Sequence, residues 1–206
     1  MRTAAALCLD MAVMLVALVA MTGCSQEKPQ SAEPQPSAPP SASPSAPRPD
    51  ATPTTFTQPT TCSAALPSTR ISTLEVDREL VLLGGPEGRY GLEYALDPSP
   101  EERAGGITCI WGFGDTDVSS VTVSVAPLTP ESRTPIVAQL IDQGLNETVA
   151  GDAVVYWQQG DTDEQPAIVN VVRAESWISV IQTIGGPVAY DEALEIAEEA
   201  YRATYR

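Results

Sequence analysis

The residues that could do chemistry are defined first by what is missing. The chain has no His, which removes the commonest general base and the commonest metal ligand. Its one Lys is Lys28, and from Cys62 onward neither a Gly-x-Ser-x-Gly nor a Ser-x-x-Lys sequence supplies an activated Ser. What remains is carboxylate and sulfur. A carboxylate-only enzyme would need two Asp or Glu flanking a scissile bond, as in glycan hydrolysis. Two segments share the pattern Trp-x-x-Gly-Asp-Thr-Asp, Trp111 to Asp117 and Trp157 to Asp163. Gly and Asp supply the backbone angles of tight turns, and a pair of hairpins with the same turn would account for both. The alternative is calcium, since Asp-x-Asp offers hard oxygens. Each segment lacks the spaced third and fourth ligands and the closing Glu of a helix-loop-helix site, so turn chemistry is the expected role. No cofactor or metal is expected, and no catalytic residue is assigned.

The sulfur atoms are Cys8, Cys24, Cys62 and Cys109, and their meaning depends on the N-terminus. Met11 to Met21 is apolar but too short for a membrane-spanning helix, which needs about 20 residues. Such a run, with Arg2 ahead of it and small residues behind, reads as a secretory signal. Met21-Thr22-Gly23-Cys24 resembles the bacterial lipobox, with Met21 where that motif usually has Leu. The resemblance implies cleavage before Cys24 and a diacylglycerol on its sulfur, anchoring residues 24 onward to the membrane after loss of signal residues 1–23; a short membrane anchor or an ordinary secretory signal is the alternative. Two acyl chains suffice for stable anchoring. Cys8 then leaves with the signal and Cys24 carries lipid. Cys62 and Cys109 remain, an even pair in an exported domain, so a disulfide is expected, with two free buried thiols as the alternative.

Residues 24–61 read as a tether. Ser25 to Thr61 holds ten of the nineteen Pro, many Ser, Ala and Thr, and the single aromatic Phe56. Such a segment cannot bury enough apolar surface to offset its ordering entropy. Extended at about 3.1 Å per residue, it reaches on the order of 100 Å. Residues 62–206, about 145 in number, are long enough for one cored domain. The chain carries a formal charge of −16. That surface repels phosphate backbones and anionic head groups, so nucleic acid is excluded as a partner.

The domain reads as α+β, a mostly antiparallel sheet of five to six strands packed with two to three helices. Strands are expected at residues 79–83, 107–113, 119–127, 153–158, 167–173 and 176–184, from apolar alternation and the Gly, Pro and Asp that bound each run. Helices are expected near residues 63–74, after Thr129-Pro130 or Thr134-Pro135, and at 190–205. Between the first two strands lies a long Gly- and Pro-rich loop, Gly84 to Gly106, with Tyr90 and Tyr94. A loop of that length inside a compact domain is commonly functional. Tyr90, Tyr94 and the strand residue Trp111 are therefore the candidate binding residues, although aromatics on strands are more often core.

The layout of lipobox, Pro/Ser tether, Cys62, and then Cys109-Ile-Trp111 opening a hairpin resembles the small actinobacterial envelope lipoproteins of unknown function, the mycobacterial Lpr and Lpq type. That resemblance implies an exported α+β domain with one disulfide and no catalytic residues. The expected function is a non-catalytic binding or structural domain, held at the outer face of the cell membrane by its lipid and meeting an envelope protein, lipid or glycan. A carboxylate-dependent glycan hydrolase and a calcium-binding module are the alternatives.

Overall fold

The computed structural model describes residues 55–162 and 164–206. The signal, Cys24 and most of the tether lie outside the described residues, as does Asp163. Seven strands form one sheet: β1 (Leu80–Gly84), β2 (Ile107–Phe113), β3 (Val118–Pro127), β4 (Asn146–Ala150), β5 (Ala153–Gln158), β6 (Ala167–Val172) and β7 (Ser176–Gln182). Their order is β1-β2-β3-β7-β6-β5-β4, and every pairing is antiparallel. The class is α+β, with seven strands where the sequence suggests five or six. The additional strand is β4. It is exposed along its whole length, so Asn-Glu-Thr-Val-Ala carries none of the apolar alternation that marks a half-buried strand. Among the described residues the α-helices number five, where the sequence suggests two or three: α1 (Cys62–Ala65), α2 (Ser68–Ser72), α3 (Pro100–Arg103), α4 (Pro130–Asp142) and α5 (Pro187–Thr204). The first three are single turns, too short to leave a helical periodicity.

Alternation along the strands sends side chains to two faces. On one face Val121, Val123, Val125, Val169, Ile178 and Val180 form the main core. It is covered by α5 and by the N-terminal segment through α1, α2 and a π-helical turn (Thr73–Asp77). Helix α5 lays Ala193, Ile196, Ala197 and Ala200 against the sheet, a helical stripe whose small side chains allow close approach. On the other face Ala126, Tyr156, Val172 and Trp177 pack beneath Leu140 of α4. Both readings of the α4 start are present in one helix. Thr129 caps it, with Ser132 N–H donating to its Oγ1 at 3.2 Å, and Pro135 lies inside, where it has no N–H for the carbonyl of Glu131. Helix α5 begins at Pro187 rather than Tyr190, because Pro suits the first helical position.

Two covalent or ionic ties fix the N-terminal segment to this frame. Cys62 and Cys109 form a disulfide with Cα atoms 5.6 Å apart, pinning α1 to β2 inside the core. Arg70 of α2 forks onto Glu199 of α5, Nε to Oε2 at 2.6 Å and Nη2 to Oε1 at 3.2 Å. The hydrogen bond it donates to Glu199 raises the guanidinium above its usual value, against the opposing pull of burial. The domain also starts earlier than Cys62. Thr55 N–H donates to the Arg206 carbonyl at 2.9 Å, and the Phe56 and Tyr205 ring centroids are 5.6 Å apart. The last part of the expected tether therefore belongs to the fold, because its one aromatic has a partner that sequence alone does not reveal.

Candidate functional site

The segment between β1 and β2 is folded back on the sheet rather than looping freely. Arg89 N–H donates to Leu82 O at 2.9 Å and Tyr90 N–H to Leu83 O at 2.8 Å, so the chain retraces β1. The reversal requires Gly85. Its φ is +95°, and a Cβ there would lie 2.1 Å from the Thr108 carbonyl oxygen. A 3₁₀ turn (Gly91–Tyr94) follows. Ser99 then caps α3, accepting from Glu102 N–H at 3.1 Å while the Glu102 carboxylate accepts from Ser99 N–H at 2.7 Å, a reciprocal capping box.

This path leaves two grooves. The larger, about 660 Å³, is lined by Pro86, Leu92, Ala95, Leu96, Pro98 and Ile107, with Glu93 and Glu102 among its polar walls. Leu92 and Leu96 are exposed, apolar surface whose burial would be favourable. The smaller, about 540 Å³, is lined by Arg89, Tyr90, Glu93, Tyr94 and Asp117.

Tyr90 and Tyr94 face the smaller groove, and their hydroxyls are already engaged. Tyr90 donates to Asp117 Oδ2 at 2.8 Å and Tyr94 to the Asp117 carbonyl at 2.7 Å. Their rings stack with centroids 6.1 Å apart. Burial, with Asp117 beside it, holds the Tyr94 hydroxyl above the usual phenol range. The two tyrosines thus brace the loop against the β2–β3 turn. Trp111 joins neither groove. Its side chain is 1 % exposed in the core, and its Nε1–H donates to Glu75 at 3.2 Å. As a binding residue Trp111 is corrected to a core residue, placed there by the inward parity it shares with Cys109.

The repeated Gly-Asp-Thr-Asp segments fold differently from one another. The first closes a tight β2–β3 turn, with Asp117 N–H donating to Phe113 O at 2.8 Å and Asp117 at φ +56°. The second opens a wider β5–β6 loop in which Asp161 Oδ1 accepts from the N–H groups of Glu164 and Gln165 at 2.6 and 3.1 Å. In both, a carboxylate serves as an internal acceptor. Among the described residues no group of three or more His, Cys, Asp or Glu is placed to hold a metal ion. No described helix is long and apolar enough to cross a membrane.

One notable group carried no expectation from sequence. Glu101 of α3 is buried against the sheet. Register sets Thr108, Ser124, Ser179 and Asn170 in one cross-strand row, and all four are buried. Ser99 and Thr108 hydroxyls are 2.7 Å apart, and Thr108 and Ser124 hydroxyls 2.9 Å. Trp177 Nε1–H donates to Asn170 at 2.9 Å. Burial pushes the Glu101 carboxyl up from its usual value, opposed by hydrogen bonds from its own backbone, Ser179 and Ser99. The visible signal was Ser99-Pro-Glu-Glu102, a helix-start pattern that puts the residue before the capping Glu against the sheet.

The comparisons give no family. No protein-family model matches the chain, and neither a curated protein nor a solved structure matches it. The grooves must therefore be read from their own chemistry. The larger offers apolar contact beside carboxylates, and one of those carboxylates, Glu102, is occupied as a helix cap.

Proposed function

We propose that this chain is an exported lipoprotein, anchored at the outer face of the cell membrane through Cys24, whose folded domain binds a ligand without transforming it. The reading rests on the lipobox-like segment and the Pro-rich tether, and on a layout that resembles the actinobacterial Lpr and Lpq type. The observation that carries the binding role is the groove of Pro86, Leu92, Ala95, Leu96, Pro98 and Ile107. It suits an acyl chain with an uncharged or cationic head, because Glu93 and Glu102 would repel a free carboxylate. An enzyme working by paired carboxylates would need two unengaged acids facing one cleft. Here Glu102 caps α3 and Glu101 is buried in a hydroxyl network.

The test is calorimetric titration of the mature protein with monolaurin and with laurate, both below their micelle-forming concentrations. Saturable heat with monolaurin, weaker heat with laurate, and loss of both in Leu92→Asp/Leu96→Asp are expected. No heat with monolaurin, or equal heat in the variant, would remove the groove as the site.

A further inference from the structure

A second surface lies away from the groove, at the end of the sheet where β2 stops and β3 begins. Val76, Phe113, Val118, Ile184 and Val188 are there, each between 47 % and 83 % exposed, and none belongs to either core. They come from three separate parts of the chain, residues 76, 113–118 and 184–188, which side-chain hydrogen bonds between their neighbours tie together. Arg78 Nη1 donates to Glu192 at 3.0 Å and its Nη2 to Ser120 Oγ at 3.2 Å. Gln182 Nε2 donates to Glu192 at 2.8 Å, and Thr183 Oγ1 to the Ser119 carbonyl at 2.9 Å. Val76 precedes Arg78, Val118 precedes Ser119, Ile184 follows Thr183, and Val188 lies one helical turn before Glu192. Phe113 is the cross-strand partner of both Val118 and Leu80. Scattered single apolar residues are ordinary on a surface, whereas a gathered set marks an interaction site.

The charges on the same segments identify the occupant. Asp77, Glu79, Asp115 and Asp191 are all exposed, and each stands within a few residues of one of the five. A second copy of this chain would bring the same carboxylates against them, and an anionic bilayer would be repelled likewise. We infer that this end of the sheet docks a polypeptide segment that combines apolar side chains with Lys or Arg. The inference does not depend on the groove described above, which lies on other residues.

The test uses the mature protein and two synthetic peptides of equal length, one alternating Lys and Leu and one of Lys alone. The Lys/Leu peptide is expected to bind and to protect or shift amides of residues 76–79, 113–118 and 184–191 in an NMR titration. Phe113→Ser/Val188→Ser alters only exposed positions, so an unchanged melting temperature is expected with binding weakened about tenfold. Asp115→Asn/Asp191→Asn is expected to weaken binding and flatten its salt dependence. Equal binding of the all-Lys peptide, undiminished binding by the apolar double variant, or amide changes elsewhere would overturn the inference. Binding to phosphatidylglycerol vesicles through these residues, or dimerisation lost in the same variant, would overturn it in favour of a lipid surface or a second copy.

Discussion

Removing the Cys62–Cys109 bridge gives a loss that can be worked out in advance. The two residues are separated by 47 positions, and in the chain-entropy view the bridge acts by restricting the unfolded ensemble. For a closed loop of that length the restriction is worth about 4 kcal/mol at 25 °C. A domain of about 150 residues unfolds with an entropy near 0.3 kcal/mol/K, so the melting temperature should fall by about 13 °C. The loss should not be made up by repacking, because both sulfurs are fully buried and Cys62 Sγ lies only 3.1 Å from where a Gly85 side chain would begin. The assay is a circular-dichroism melt of the mature protein with and without reductant, repeated on Cys62→Ala/Cys109→Ala. A fall below about 3 °C in both would refute the reasoning, since the N-terminal segment would then be held by its other contacts alone.

Other consequences are equally direct. Glu101 holds its proton above the pH at which the unfolded chain, with a carboxyl near about 4.3, has lost it. Stability from this group is therefore present below that value and declines as pH rises towards its raised folded value. Glu101→Gln should match the parent near pH 4 and exceed it above the window, by about 1.4 kcal/mol for each unit of elevation; equal urea midpoints across the range would contradict this. Trp111→Ala should cost about 3–5 kcal/mol in urea denaturation, a loss that a surface-binding role would not produce. Gly85→Ala should destabilise by about 2 kcal/mol or more, because it needs a positive φ and meets the Thr108 carbonyl.

Much of the frame was legible because it obeys local rules. The Val121, Val123 and Val125 alternation, the hairpin around Ala174 and Glu175, and the Thr129 cap each follow from periodicity or turn chemistry. Strand β4 was invisible because, with both faces in water, it has no pattern to read. Single-turn helices such as α3 escape for a different reason, since one turn is too short to show a period. The candidate site divides similarly. The Gly84 to Gly106 segment was identifiable from its length and composition. Which of its side chains face a groove was not, since Tyr90 and Tyr94 turn to Asp117 and leave Leu92 and Leu96 exposed. Trp111 and Trp157 have identical local patterns and different fates. The first is sealed in the core, while the second is partly exposed and packs on Tyr190 with centroids 5.1 Å apart. Burial of that kind depends on which helix crosses the strand, a long-range fact.

The lipid expected on Cys24 is open to one direct measurement. Intact mass and N-terminal fragmentation of the protein extracted with detergent from its native envelope should show a chain beginning at Cys24 with a diacylglycerol on the sulfur. A chain that retains residues 1–23, or begins elsewhere without lipid, would contradict the account.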